Sequence, residues 1–264
     1  MIRLGQYLPG DTVVHRLDPR VKILSVVALS ILIFAATWVE IILISAFLIA
    51  VIRATRMTPV QTLGALRPVA VFMAMIFLVH LLFTEGRPIL SLTPLPVRIT
   101  QEGLVRGVYV TWQFAGLVLG AAVLTRSTPP SDLVGGIERL LRPLSRIGIP
   151  SQDLAVMIAM ALRFMPMLLE EYDRLRMAQM ARGADFTTGS LALRTRAVAA
   201  LAVPLLLSSF RRADELAGAM EARGYRRGPR TTLRELALSR RDLGAFAVMA
   251  AFFLANFALR MAIR

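Results

Sequence analysis

The sequence predicts an all-α polytopic membrane protein with about five transmembrane helices and a cytoplasmic domain of three helices, two of them long and crossing. Two observations carry this prediction. The chain of 264 residues is 56% hydrophobic and has a mean hydropathy of +0.63, which is typical of polytopic membrane proteins. Its most basic region, residues 126–241, contains only short apolar runs and reads as amphipathic helix.

The net charge of +14 has two interpretations. It would fit nucleic-acid binding in a soluble protein, but no basic stretch is interleaved with aromatic side chains that could stack on bases. Positive charge also retains loops on the cytoplasmic side of a membrane. We therefore expect contact with the lipid bilayer and no nucleic-acid partner. Cysteine is absent, which excludes disulfides and thiolate metal sites.

Apolar segments of about 20 residues are candidate spans. The first two are short, and Glu40 interrupts the second, so we expect a hairpin. Residues 1–125 are predicted to form a membrane domain with four spans, residues 126–240 a cytoplasmic domain, and residues 241–264 a final transmembrane helix. The five candidate segments are 23–37, 38–52, 68–83, 104–124 and 243–259.

Orientation follows from the Arg and Lys residues near the span ends. The N-terminal segment and the loop after the second span are basic, whereas the proline-rich loop after the third span is balanced in charge. The sequence therefore predicts a cytoplasmic N-terminus and an external proline-rich loop. Arg260 and Arg264 then fall outside, which conflicts mildly with the same rule.

Three helices are predicted in the basic region. The first covers residues 131–141, with Ser131 as its N-cap. The second and third cover residues 151–182 and 191–223, and both begin apolar, pass a proline and become amphipathic. Those prolines, Pro166 and Pro204, are expected to act as hinges or as static kinks.

Both long helices end in the same phrase, Ala-x-x-Ala-Arg-Gly, at residues 178–183 and again 41 positions later at 219–224. Glycine suits the left-handed residue that ends many helices, and an arginine there complements the helix dipole. Ordinary capping is therefore one interpretation. The duplication favours docking into two matching sockets on a soluble partner, through Ala181, Arg182, Gly183, Ala222, Arg223 and Gly224.

At these residues the chain resembles the transmembrane T component of energy-coupling factor (ECF) transporters, which import vitamins and metal ions. Residues 8–22 resemble the N-terminal signature of that family. Residues 163–183 and 204–225 resemble its second and third coupling helices. The resemblance covers most of the chain and is strongest over residues 131–227.

In that family, the T component links two cytoplasmic ABC ATPases, as a homo- or heterodimer, to a small membrane protein, the S component, which captures substrate. The resemblance implies that the basic domain is a coupling domain, with Arg182 and Arg223 as the principal ATPase-coupling residues. It implies a multi-pass protein of the bacterial or archaeal cytoplasmic membrane. Substrate choice would lie in the S component, so biotin, cobalt, nickel and riboflavin all remain open.

The resemblance also implies an S-component interface on the apolar faces of the two long helices. Methionine-rich surfaces can repack against different partners, although methionine also fills irregular gaps inside cores. The positions implied are Met157, Met160, Met165, Met167, Leu205 and Leu206.

No residue pattern predicts catalysis. The sequence contains no metal-ligand cluster, no phosphate-binding glycine loop and no arguable catalytic set, so we expect a non-enzymatic subunit without cofactor or metal, whose partners hydrolyse ATP. A membrane enzyme would need ionisable residues in its spans, and the candidates Glu40 and His80 both lie towards span ends. The main alternative is the permease of a conventional ABC importer, which forms its own translocation pathway.

Two smaller signals have structural interpretations. Asp18 and Pro19 fit the N-cap and first position of a helix. Gly116 and Gly120, four residues apart, would allow another helix to pack closely.

Overall fold

The structure is a computed structural model that describes residues 8, 10–92, 97–143, 151–184, 186, 191–226 and 239–263. These ranges contain nine α-helices and one two-stranded antiparallel sheet, so the helical class is as predicted. The chain divides into two compact units, Met1–Ile137 with Glu235–Arg264, and Glu138–Arg234. We call them the membrane unit and the repeat unit.

Helices α1 (Pro19–Ala35) and α2 (Trp38–Ala54) form the predicted hairpin, joined by two residues. The Asp18 side chain accepts a hydrogen bond from the backbone of Arg20 at 2.8 Å, and Pro19 is the first helical residue. The predicted cap is therefore confirmed. Each helix has 17 residues, or about 26 Å at 1.5 Å per residue.

Three longer helical segments are long and apolar enough to cross a membrane. In the first, α3 (Pro59–Leu66) continues through a 3-10 turn into α4 (Ala70–Phe83). The others are α5 (Gln101–Ser127) and α9 (Arg240–Ile263). Helices α5 and α9 extend past both ends of their predicted spans, and the first segment begins well before its predicted start. Polar residues at the termini continue each helix.

A β-hairpin, β1 (Pro88–Leu92) paired with β2 (Val97–Thr100), lies between α4 and α5. The sequence predicts only a proline-rich loop here. Strands of four or five residues carry a weak periodic signal. The hairpin leads directly into α5, whose first turn is capped by the Thr100 hydroxyl, an acceptor for the Gly103 backbone at 3.0 Å.

Glycines let α5 approach two neighbours closely. A Cβ atom on Gly103 would lie 2.7 Å from the carbonyl oxygen of His80 in α4. A Cβ atom on Gly116 would lie 3.1 Å from Ile33 Cδ1 in α1. The close packing predicted for Gly116 is confirmed, whereas the contact at Gly103 was not predicted. A buried hydrophobic cluster in the membrane unit contains Leu29, Leu32, Ile33, Ala36, Ile44, Leu48 and Met249.

The division between the two units falls within α6 (Pro130–Leu141). The carbonyl of Pro129 accepts hydrogen bonds from the backbones of Asp132 and Leu133, both at 3.0 Å. The prediction that Ser131 is the N-cap is therefore wrong. Pro130 is the first helical residue instead, where a missing N–H costs nothing.

Helices α7 (Ser151–Ala181) and α8 (Leu191–Ala222) pack against each other in the repeat unit. They contain 31 and 32 residues, or about 47 Å each. Pro166 lies inside α7 and Pro204 inside α8, and both helices continue beyond their proline. The two long helices are as predicted to within one residue.

Candidate functional site

The end of α7 is closed by backbone hydrogen bonds alone. Gly183 has a φ of +85°, and its N–H donates to the carbonyl of Met180 at 3.0 Å. The N–H of Ala184 donates to the carbonyl of Gln179 at 2.9 Å. This pair of bonds around a left-handed glycine defines the Schellman motif.

The end of α8 repeats this geometry. Gly224 has a φ of +74°, and its N–H donates to the carbonyl of Glu221 at 2.9 Å. The N–H of Tyr225 donates to the carbonyl of Met220 at 2.9 Å. The repeated phrase in the sequence is therefore also a repeated structure.

Arg182 and Arg223 are the C-cap residues, one position beyond the last helical alanine. Each backbone N–H donates to the carbonyl four residues earlier at 3.2 Å. Neither guanidinium has a hydrogen bond or ion pair with another residue that the structure describes. The backbone closes both helix ends, so the two arginine side chains remain available to a partner.

The surroundings of the two motifs are open. All six motif residues are exposed. A Cβ atom on Gly183 or Gly224 would meet no described atom within 4 Å. Both glycines are thus required by their backbone conformation and not by internal packing. Because the alanines and glycines project little, another surface can approach each helix end closely beside the arginine fork.

An ion pair joins the two long helices. Arg212 of α8 donates to Glu171 of α7 at 2.5 Å, and their side chains are 32% and 23% exposed. The amphipathic pattern of each helix places both residues on its polar face, so that pattern alone does not predict this contact. Glu171 and Arg212 each lie eleven residues before the motif arginine of their own helix, Arg182 and Arg223 respectively. This equal spacing is the sequence signal that points to the pair.

Of the six positions implied as an S-component interface, three are exposed and three are half-buried. Met157, Met167 and Leu206 are 59%, 45% and 57% exposed. The other three, Met160, Met165 and Leu205, are half-buried.

The prolines are 38 positions apart and the motifs 41. Pro166 and Pro204 therefore do not occupy equivalent places in the two helices.

Glu40 and His80, which lie in predicted spans, make structural contacts. Glu40 is 3% exposed, accepts from the backbone of Thr37 at 2.5 Å, and pairs with Arg260 at 3.3 Å. This pair neutralises the arginine that conflicted with the charge rule. His80 Nδ1 hydrogen-bonds the carbonyl of Ile76 at 2.9 Å within its own helix.

In the described ranges, no group of three or more His, Cys, Asp or Glu residues could hold a metal ion.

Comparison with known proteins agrees with this architecture. The model of the CbiQ family, described as cobalt transport protein, matches residues 10–233. The chain is 42% identical to the energy-coupling factor transporter transmembrane protein EcfT of Thermosediminibacter oceani, over 93% of this chain and 92% of the relative. The chain belongs to the T-component family of ECF transporters.

Other members of this family have comparable identity to the chain. The EcfT of Heliobacterium modesticaldum is 42% identical over 96% of this chain and 95% of its own length. The EcfT of Bacillus subtilis is 39% identical, over 90% and 91% respectively. Family membership confirms the resemblance drawn from the signature segments, and it makes the chain a transmembrane component of a transporter.

Proposed function

We propose that this T component is the coupling subunit of an ECF-type ABC importer for a vitamin or a metal ion. Its two Ala-Arg-Gly helix ends dock onto two ABC ATPases, which hydrolyse the ATP. The proposal rests on one observation: two helix ends with the same backbone geometry each present an arginine whose side chain has no described partner. Two equivalent helix ends suit an ATPase dimer that offers two equivalent binding grooves.

The chemistry of the groove that binds each helix end follows from the arginine that the groove must accept. A guanidinium offers a planar fork of donors that matches a carboxylate. The positive φ of Gly183 and Gly224 turns the chain away directly after the arginine, which leaves the fork at the extreme end of the helix. A groove lined by carboxylates or by C-terminal helix carbonyls would bind both ends.

The membrane side of the mechanism concerns the apolar helix faces. We place the S-component interface along α7 and α8, with exposed Met157, Met167 and Leu206 as its outer contacts. Movement of the ATPases would displace the helix tips, and Pro166 and Pro204 would let the helices bend. The apolar faces would then shift beneath the S component, a combination of hinge and shear motion.

The proposed site of action is the bacterial or archaeal cytoplasmic membrane. The N-terminus, residues 126–240 and both helix ends face the cytoplasm in this arrangement, which the distribution of most arginines favours. Residues 1–125 and 241–264 form the membrane part. The substrate is selected by the S component, and the chain itself carries no substrate site in this proposal.

Copurification tests the proposal. The full chain would be tagged and isolated from membranes of its host, and the associated proteins identified and quantified by mass spectrometry. We expect two ABC ATPase subunits per chain and a separate small hydrophobic protein. A conventional permease would instead copurify without such a protein, and that result would favour the alternative.

Charge reversal tests the two arginines. The double variant Arg182→Glu, Arg223→Glu should lose the ATPases and keep the small hydrophobic protein. Arg176→Glu is the matched control, because Arg176 is exposed on α7 and lies outside the motif. Retention of both ATPases by the double variant would refute the docking assignment.

A further inference from the structure

A cavity of about 460 Å³ opens in the membrane unit between α1, α2, α5 and α9. Its volume falls in the range of roughly 300–1,000 Å³ that is usual for ligand pockets. Side chains from all four helices line it, and most of them are apolar, such as Leu29, Phe47, Leu48, Val123 and Val248. Nothing in the proposed coupling mechanism uses this space.

The polar lining residues of the cavity cluster at one end of the helices. Its polar lining residues are Lys22, Ser25, Ser127 and Arg241. They all lie where α1 and α9 begin and where α5 ends. The lining towards the middle of the helices is apolar, and Val14 and Leu17, which precede α1, add apolar surface near the polar residues. A ligand that fits has a charged head at this end and a hydrocarbon body, which is the polarity of a membrane lipid.

Only one of the two cations in the lining can bind a ligand. Lys22 is 6% exposed, and its ammonium donates to the carbonyls of His15 and Ser127 and to the Thr128 hydroxyl, at 3.1, 2.9 and 3.1 Å. These three acceptors use all of its protons. Arg241 is exposed and has no hydrogen bond or ion pair with any described residue.

The neighbouring carboxylate does not neutralise Arg241. Asp242 is 2% exposed and turns inward, where it accepts from the backbones of Asp18 and Ser239, both at 2.7 Å. The lining of the cavity therefore includes the positive charge of the exposed Arg241 beside apolar side chains. Small residues leave room there, since a Cβ atom on Gly244 would meet nothing within 4 Å.

We propose that this cavity binds an anionic phospholipid, with its phosphate on Arg241 and one acyl chain among α1, α2, α5 and α9. Arginine matches phosphate oxygens bidentately, and basic pockets between membrane helices bind anionic headgroups. Under the orientation proposed above, the headgroup lies in the cytoplasmic leaflet.

Native mass spectrometry of the purified full chain tests this site. The protein would be incubated with phosphatidylglycerol or phosphatidylcholine carrying identical acyl chains. We expect one retained phosphatidylglycerol and about fivefold weaker retention of phosphatidylcholine, the factor that one arginine supplies near a membrane surface. Equal retention of the two lipids would overturn the proposal.

Matched variants locate the binding. Arg241→Gln should abolish the preference, whereas Arg240→Gln should not, because Arg240 is also exposed at the start of α9 but does not line the cavity. Ala245→Phe should reduce retention of both lipids by filling the cavity. If Arg240→Gln and Arg241→Gln behave alike, the site is not the one described.

A photo-crosslinking residue at Val248 identifies the occupant in the complex isolated from host membranes. A lipid adduct supports the proposal, and it does so independently of whether Ala245→Phe folds. A protein adduct would assign the cavity to a partner helix and overturn the lipid assignment.

Discussion

Glu171 of α7 and Arg212 of α8 form a 2.5 Å ion pair, and each lies eleven residues before the arginine of its own Ala-Arg-Gly motif. At 1.5 Å per residue, each helix extends about 16 Å from the pair to its tip. The two helices are therefore held together at equivalent points. The segment from the ion pair to the docked end has the same length in both helices. This arrangement is suited to transmitting movement from one docked helix end to the other.

Removing this pair should weaken the association of α7 with α8. Arg212→Ala leaves the half-buried Glu171 carboxylate without its partner, and a double-mutant cycle with Glu171→Ala should give a coupling energy of about 1 kcal/mol. Thermal unfolding of the full chain in detergent measures it. The control is the Glu170–Arg174 pair, whose side chains are 69% and 76% exposed and which should contribute little. Equal coupling energies for the two pairs would contradict a special role for Glu171 and Arg212.

The two motif glycines should be intolerant of alanine, because both hold a positive φ. Gly183→Ala and Gly224→Ala should each cost about 1–2 kcal/mol at the helix end, the usual penalty of a left-handed residue with a Cβ atom. Hydrogen exchange of the last turn of α7 or α8 would report it. Gly218→Ala is the control, since Gly218 lies inside α8 with open space around it and should gain roughly 0.5–1 kcal/mol. A neutral Gly183→Ala would show that the left-handed cap is dispensable.

Packing of α5 on α4 should depend on Gly103. A Cβ atom there would lie 2.7 Å from a backbone oxygen, and backbone cannot move aside as a side-chain tip can. We expect Gly103→Ala to destabilise the full chain by about 1–3 kcal/mol, the usual cost of overpacking. Gly64→Ala, at a helical position with nothing within 4 Å, should show no such loss in the same melting experiment. Matching melting temperatures for the two variants would argue against this close approach.

The Glu40–Arg260 pair should respond asymmetrically to neutralisation. Arg260→Gln leaves a carboxylate that is 4% exposed without its counter-charge, whereas Glu40→Gln leaves an arginine that is 35% exposed. Because a buried unpaired charge is the more costly, Arg260→Gln should lower the melting temperature further, by the equivalent of about 2 kcal/mol. Glutamine at position 40 still accepts the Thr37 N–H, so the difference reports the charge pair. A larger effect from Glu40→Gln would contradict this account.

Local signals in the sequence account for most of the helices. The Asp18-Pro19 cap and the apolar runs placed α1, and the repeated phrase placed the ends of α7 and α8 to within one residue. The errors have local causes as well. The residue type of Ser131 suits an N-cap, but Pro130 suits the first turn better and starts the helix one residue earlier. The β-hairpin gives no periodic signal in the sequence because its strands are too short.

The sequence by itself determined the class of this protein and its duplicated helix ends, because helix periodicity, caps and left-handed glycines depend on neighbours within a few positions. Its signature segments also indicated the family to which it belongs, by resemblance. Only the tertiary structure decided which side chains meet across helices. Glu171 joins Arg212 over 41 positions, Glu40 joins Arg260 over 220, and Asp242 reaches the backbone of Asp18 over 224. Those pairs depend on which helix faces pack together, and the energy of that packing is shared by residues far apart in the chain.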